Sequence, residues 1–207
     1  MHNLNFSELL STARDISYEA PQLRILEAAL AEAAAQGLHG LTIEGVARRC
    51  RRNRATIYRH FGNRDKLAYA LVVWEANKMM QVLTKAVAGI DDPEALLVEG
   101  FVAAMRFARE HPVISRTTQY EPGSLIFAAR ANDHSLLRLG AGFMANTIRW
   151  AQSKGLGTHL DADAAGDIAA RLFSSFVLLP GGHNALNDDE STRQFALSTL
   201  APMLLRT

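Results

Sequence analysis

A single cysteine, Cys50, in 207 residues excludes an internal disulfide framework, so packing must hold the chain together. No uninterrupted apolar run approaches the roughly 18 to 20 residues that a membrane span needs. The opening MHNLNFSELLSTARD has neither a basic start nor an apolar signal core, and the cytoplasm is the compartment expected. The seven histidines show no pair at i and i+4 on a helix, which argues against a metal sensor. No alternating pattern suggests a strand, and there is no internal repeat or low-complexity tract. Ser174, Ser175 and His183 lie near one another in sequence. They do not assemble with paired acids or a phosphate loop into recognisable catalytic machinery, so no enzyme is expected.

Helical periodicity is present, together with a strongly uneven distribution of charge. The chain has 48% hydrophobic and 21% charged residues, ordinary values for a globular protein of this size. Its formal charge is +1, from 22 basic and 21 acidic residues. The stretch from Arg48 to Lys66 holds eight basic residues and one acid, Asp65, a net of +7, which leaves 14 and 20 elsewhere, a net of −6. Concentrated positive charge of this kind serves to neutralise phosphates and release counterions.

The same stretch, TIEGVARRCRRNRATIYRHFGNRDKL, contains two short helical patterns. Thr42 reads as an N-cap before Ile43, Val46, Ala47 and Cys50, whose spacing sets them on one face. Cys50 is expected in the core as a small hydrophobe. Asn53 caps a second helix in which Ile57 and Phe61 face inward, leaving Arg54, Ala55, Thr56, Arg59 and His60 open to a partner. This is a helix-turn-helix with a free recognition face. Arg54 and Arg59 can each donate a bidentate pair to guanine, and Thr56 can reach a phosphate or a thymine methyl.

Arg24-Ile25-Leu26, Ala28-Ala29, Gly37, Leu41-Thr42-Ile43, Val46-Ala47, Thr56 to Phe61 and Asn63-Arg64-Asp65 with Leu67 resemble, in order and spacing, the N-terminal domain of the tetracycline-repressor (TetR) family. The resemblance covers about the first third of the chain. It implies a cytoplasmic homodimer on palindromic double-stranded DNA, released when a small molecule enters the C-terminal domain, with no cofactor. It adds Tyr58 and His60 as backbone contacts, and Thr42 and Arg64 as helix-start contacts to phosphate. Two departures stand out. Ala33 occupies a place where the family has a bulky aromatic, and Arg51 and Arg52 replace the glycine and small residue of the turn. The turn is expected to keep its shape and carry extra charge. A small-molecule binding protein with a vestigial DNA-binding domain is the alternative those two arginines raise.

The rest of the chain reads as helical throughout, giving an all-α protein of about nine helices. Residues 1–20 form a tail or a short extra helix, residues 21–68 the helix-turn-helix domain, and residues 69–207 a ligand-binding and dimerisation domain. A helix from Asn63 to about Ala88 joins the two domains. Trp74, Phe101, Met105 and Phe143 are candidates to enclose a small apolar or amphipathic ligand, with Thr117 and Tyr120 orienting it. Core filling is the better explanation of each apolar residue taken singly, and a surface turn explains Thr117 and Tyr120 equally well. The last two helices, beginning near Asp161 or Asp163 and at Asp188, carry more apolar surface than one neighbour requires and suit pairing across a two-fold axis.

Overall fold

Capping side chains set where most of the helices begin. In the computed structural model, residues 17–120, 136–156 and 159–205 are described. There, side chains of Thr42, Asn53, Asn63, Asp92, Asp161 and Asp188 each accept a hydrogen bond from a first-turn backbone N–H. The helices are α1 (Ala20–Gln36), α2 (Ile43–Arg49), α3 (Arg54–Phe61), α4 (Arg64–Ala86) and α5 (Pro93–Glu110). They are followed by α6 (Pro112–Tyr120), α7 (Leu136–Ser153), α8 (Ala162–Leu178) and α9 (Asp189–Phe195). No strand occurs among the described residues, and the protein is all-α. The sequence-predicted helical piece over 124–131 and the caps at Asn132 or Asp133 lie outside the described residues, as do residues 1–16.

The helix-turn-helix is built on one apolar cluster. Ile25, Leu26 and Ala29 of α1 meet Val46 of α2, Ile57 and Phe61 of α3, and Leu67 and Leu71 of α4, with Val113 of α6 added from outside. Ala33, in place of an aromatic, is fully buried in this cluster. Tyr18, from the segment before α1, packs on the same cluster, its ring centroid 6.4 Å from that of Phe61. Gly45 is required by a buried acid: a Cβ there would lie 1.9 Å from Oε1 of Glu32, whose other oxygen pairs with Arg49.

A second cluster joins α5, α7, α8 and α9 through Phe101, Met105, Ile148, Ala169 and Phe195. Helices α7 and α8 touch at their backbones, since a Cβ on Gly166 would lie 2.6 Å from the Ala141 carbonyl oxygen. Arg109 of α5 donates to the Leu186 carbonyl, to Thr192 and to Asp189, tying α5 to the start of α9. The chain passes from α9 through a π-helical stretch, Ala196–Leu200, in which the Ala201 N–H reaches back to the Ala196 carbonyl, and then into Ala201–Leu205. A proline lacks the N–H for the regular ladder, and a wider turn before it absorbs the mismatch.

Candidate nucleic-acid interface and ligand cavity

The turn between α2 and α3 closes with arginines where glycine is the easier residue. Arg51 has φ of 52°, and among the described residues it is alone as a non-glycine in that region. The Arg52 N–H donates to the Ala47 carbonyl and satisfies the end of α2. Placing a side chain there costs on the order of 1 kcal/mol. Arg51 thus holds the positive-φ conformation that glycine adopts most easily, and the turn adds two exposed cations beside α3.

On α3, Ile57 and Phe61 are buried while Arg54, Ala55, Tyr58 and Arg59 are exposed, Tyr58 to 48%. Thr56 and His60 are half-buried on the flanks. Asn53 accepts from both the N–H and the hydroxyl of Thr56, so these two residues first serve the cap. The Thr42 oxygen accepts from Gly45 and leaves its own hydroxyl proton for an outside partner.

The eight basic residues divide into two sets. Arg49 pairs with Glu32, and Arg54 pairs with Glu44 at 2.8 Å. Glu44 is exposed, and its bond to Arg54 keeps its carboxyl below the ordinary range. Arg64, a phosphate contact in the sequence expectation, is engaged within the protein. Its guanidinium donates to the carbonyls of Leu38, His39 and Leu41 and to Asp65, so it locks the α1–α2 connection onto the start of α4. Arg48, Arg51, Arg52, Arg59 and Lys66 are exposed and carry no acidic partner among the described residues.

A cavity of about 210 Å³ lies between α4, α5, α7 and α8, reaching Leu30 of α1 and Leu38 of the connection after it. Of the residues proposed from sequence, Phe101 and Phe143 line it. Trp74 does not: it packs against the N-terminal cluster with the Lys78 ammonium 3.2 Å from its ring centroid. Met105 turns instead toward a second, smaller-walled recess with Phe176 and Leu186. Thr117 is fully buried away from the cavity, its hydroxyl without a hydrogen-bond partner among the described residues. The Tyr120 side chain lies outside the described residues.

Sequence reasoning missed the polar pair in the cavity wall, Glu75 and His111. His111 Nε2 lies 3.0 Å from Glu75 Oε2, and Lys78 Nζ lies 2.9 Å from the other carboxylate oxygen. The Ile114 N–H points at His111 Nδ1, which must therefore accept, so the neutral ring carries its proton on Nε2 and donates it to Glu75. Burial pushes the Glu75 carboxyl up, but the donors from His111 and Lys78 outweigh it and hold the carboxyl below its usual range. No short motif announces such a pair, because its members are 36 positions apart.

Residues 25–71 match the family model described as "Bacterial regulatory proteins, tetR family". Over 156 residues the chain is 29% identical to the HTH-type transcriptional repressor SCO4008 of Streptomyces coelicolor, covering 72% of this chain and 73% of that protein. The fold is similar to that of the fatty acid degradation regulator FadR from Bacillus halodurans, with a TM-score of 0.67 at 18% identity, over 89% of this chain and 98% of that one. It is also similar to the TetR family repressor AlkX from Dietzia sp. strain DQ12-45-1b, with a TM-score of 0.60 at 22% identity, over 87% and 95% of the two chains. A basic helix-turn-helix that matches this family's model, continued by α4 into a helical body whose fold is similar to that of solved TetR-family proteins, supports a TetR-type transcriptional regulator.

Proposed function

We propose that this regulator is a cytoplasmic homodimeric repressor that binds a palindromic operator and leaves it when a small apolar or amphipathic molecule fills the cavity. The observation that carries the reading is the cavity's reach. Its wall includes Leu30 and Leu38 of the helix-turn-helix unit, and the Leu38 carbonyl accepts from Arg64, the first residue of α4. A ligand that displaces this wall acts directly on the helix that carries the recognition unit. Residues 21–68 form the DNA-binding domain in this reading, and residues 69–207 bind ligand and partner.

Arg54 and Arg59 read bases, while Thr42, Asn53, Ala55, Thr56, Tyr58 and His60 meet the DNA around them. Dimerisation through α8 and through α9 with its continuation to Leu205 covers Ile168, Leu179, Leu197 and Met203 on or beside these elements, which are 44% to 74% exposed in the single chain. Two recognition helices related by a two-fold axis then read half-sites a whole number of helical turns apart.

The test is a titration of the protein's own upstream DNA at several salt concentrations. Affinity falls steeply as salt rises, and a flat dependence removes the proposal. Arg59→Ala and Arg54→Ala each weaken binding to the operator by about tenfold to a hundredfold while leaving random DNA nearly unaffected. Equal losses on both DNAs would reassign them to phosphates.

A further inference from the structure

Among the described residues, the cavity wall offers hydrogen-bond acceptors to a ligand and no free donor. Among the described residues that line it, four have polar side chains: Glu75, His111, Thr147 and Ser174. Every N–H and O–H on them is committed. His111 Nε2–H serves Glu75, the Thr147 hydroxyl donates to the Phe143 carbonyl, and the Ser174 hydroxyl donates to the Ala170 carbonyl. His111 Nδ1, the remaining ring acceptor, is occupied by the Ile114 N–H. What these four residues turn to the cavity is oxygen lone pairs, chiefly those of the Glu75 carboxylate, and the other described residues of the wall are apolar.

This asymmetry selects ligand chemistry. A ligand carboxylate would lose its water, find no donor in exchange among the described residues and meet the negative charge of Glu75. A ligand O–H or N–H would find an acceptor already desolvated and held in place from two sides by His111 and Lys78. Size sets a second limit. An apolar cavity of about 150 Å³ holds one benzene, so a space of this volume takes about ten non-hydrogen atoms.

We infer that the effector is a small hydrophobe whose single polar end is a hydrogen-bond donor, an alcohol, phenol or amine, seated with that end on Glu75 and its hydrocarbon against Phe101, Phe143 and Phe173. The inference rests on the reading of this cavity as the effector site. It excludes free fatty acids of the same length.

Calorimetric titration of the full chain with 1-octanol, octylamine and octanoate, at one pH and salt concentration, tests it. Octanol and octylamine bind at least about tenfold more tightly than octanoate. Glu75→Gln, which replaces one carboxylate oxygen with an NH₂ donor, shrinks the ratio of octylamine to octanoate affinity by at least about tenfold. Octanoate binding as tightly as the other two overturns the inference while leaving the cavity as the effector site, and so does a ratio unmoved by Glu75→Gln. If none of the three binds, the effector-site reading itself falls and this inference with it. The ranking on the unmodified chain stands as a test without any variant.

Discussion

Arg51 sits at a backbone position that favours glycine, and two properties of one residue pull in opposite directions there. Arg51→Gly should raise folding stability by about 0.5 to 1 kcal/mol, because relief of the left-handed strain outweighs the added freedom of the unfolded chain. The same change should weaken DNA binding, since an exposed cation next to α3 is lost. Urea unfolding and a DNA titration on one sample check both signs. Arg64 presents the converse case, a cation in the basic stretch that works inward. Arg64→Ala leaves the Leu38, His39 and Leu41 carbonyls without their charged donor and should cost about 1 to 3 kcal/mol, read as a lower urea midpoint with unchanged slope. A variant that unfolds like the parent but binds DNA poorly would return Arg64 to the phosphate-contact role.

Helix α4 is the element on which both halves of the molecule depend, and neighbouring residues on it serve different cores. Leu67 and Leu71 belong to the helix-turn-helix cluster, Met80 and Leu83 to a cluster with Ala103 and Phe143. Between them Glu75 is bonded to His111, the residue that ends α5 where α6 begins. Because the folded-state carboxyl of Glu75 is held below its unfolded value, its contribution to stability is complete above the ordinary glutamate range. It is lost as pH falls through the folded value. Glu75→Gln should therefore flatten the acid side of the stability profile, so that parent and variant differ most at neutral pH and converge in acid. Urea midpoints measured from neutral pH down through the carboxylate range give the comparison; a constant difference at every pH would mean that the pair contributes packing and no charge.

For the whole molecule, charge placement and helix pairing determine how DNA is engaged. Within the basic stretch, Arg48, Arg51, Arg52, Arg59 and Lys66 have no acidic partner among the described residues once Glu32, Glu44 and Asp65 have taken theirs. Replacing Arg51 and Arg52 with alanine should lower the steepness of the log affinity against log salt plot by about 3 to 4 in a dimer, if each arginine neutralises one phosphate. A slope that does not change would place both side chains away from the backbone. Much of this arrangement was legible in the chain. Periodicity and capping are local: Thr42, Asn53, Asn63, Asp92 and Asp188 each act on a backbone N–H three positions on, and the inward faces of α2 and α3 repeat at three and four. The turn carrying Arg51 could be read for the same reason. What sequence could not decide was which of two adjacent residues faces which space. Trp74 was expected in the cavity and Glu75 was not considered, yet one step along a helix rotates a side chain by roughly 100°, and the packing of α4 against α1 and α5 sets the phase. The amino-acid sequence alone determined the helices, their caps and the concentration of positive charge, because those depend on neighbours a few positions away. Tertiary structure decided that Arg64 turns inward, that Glu44 holds Arg54 and that Glu75 meets His111, because each of these bonds joins residues that only the packing of separate helices brings together.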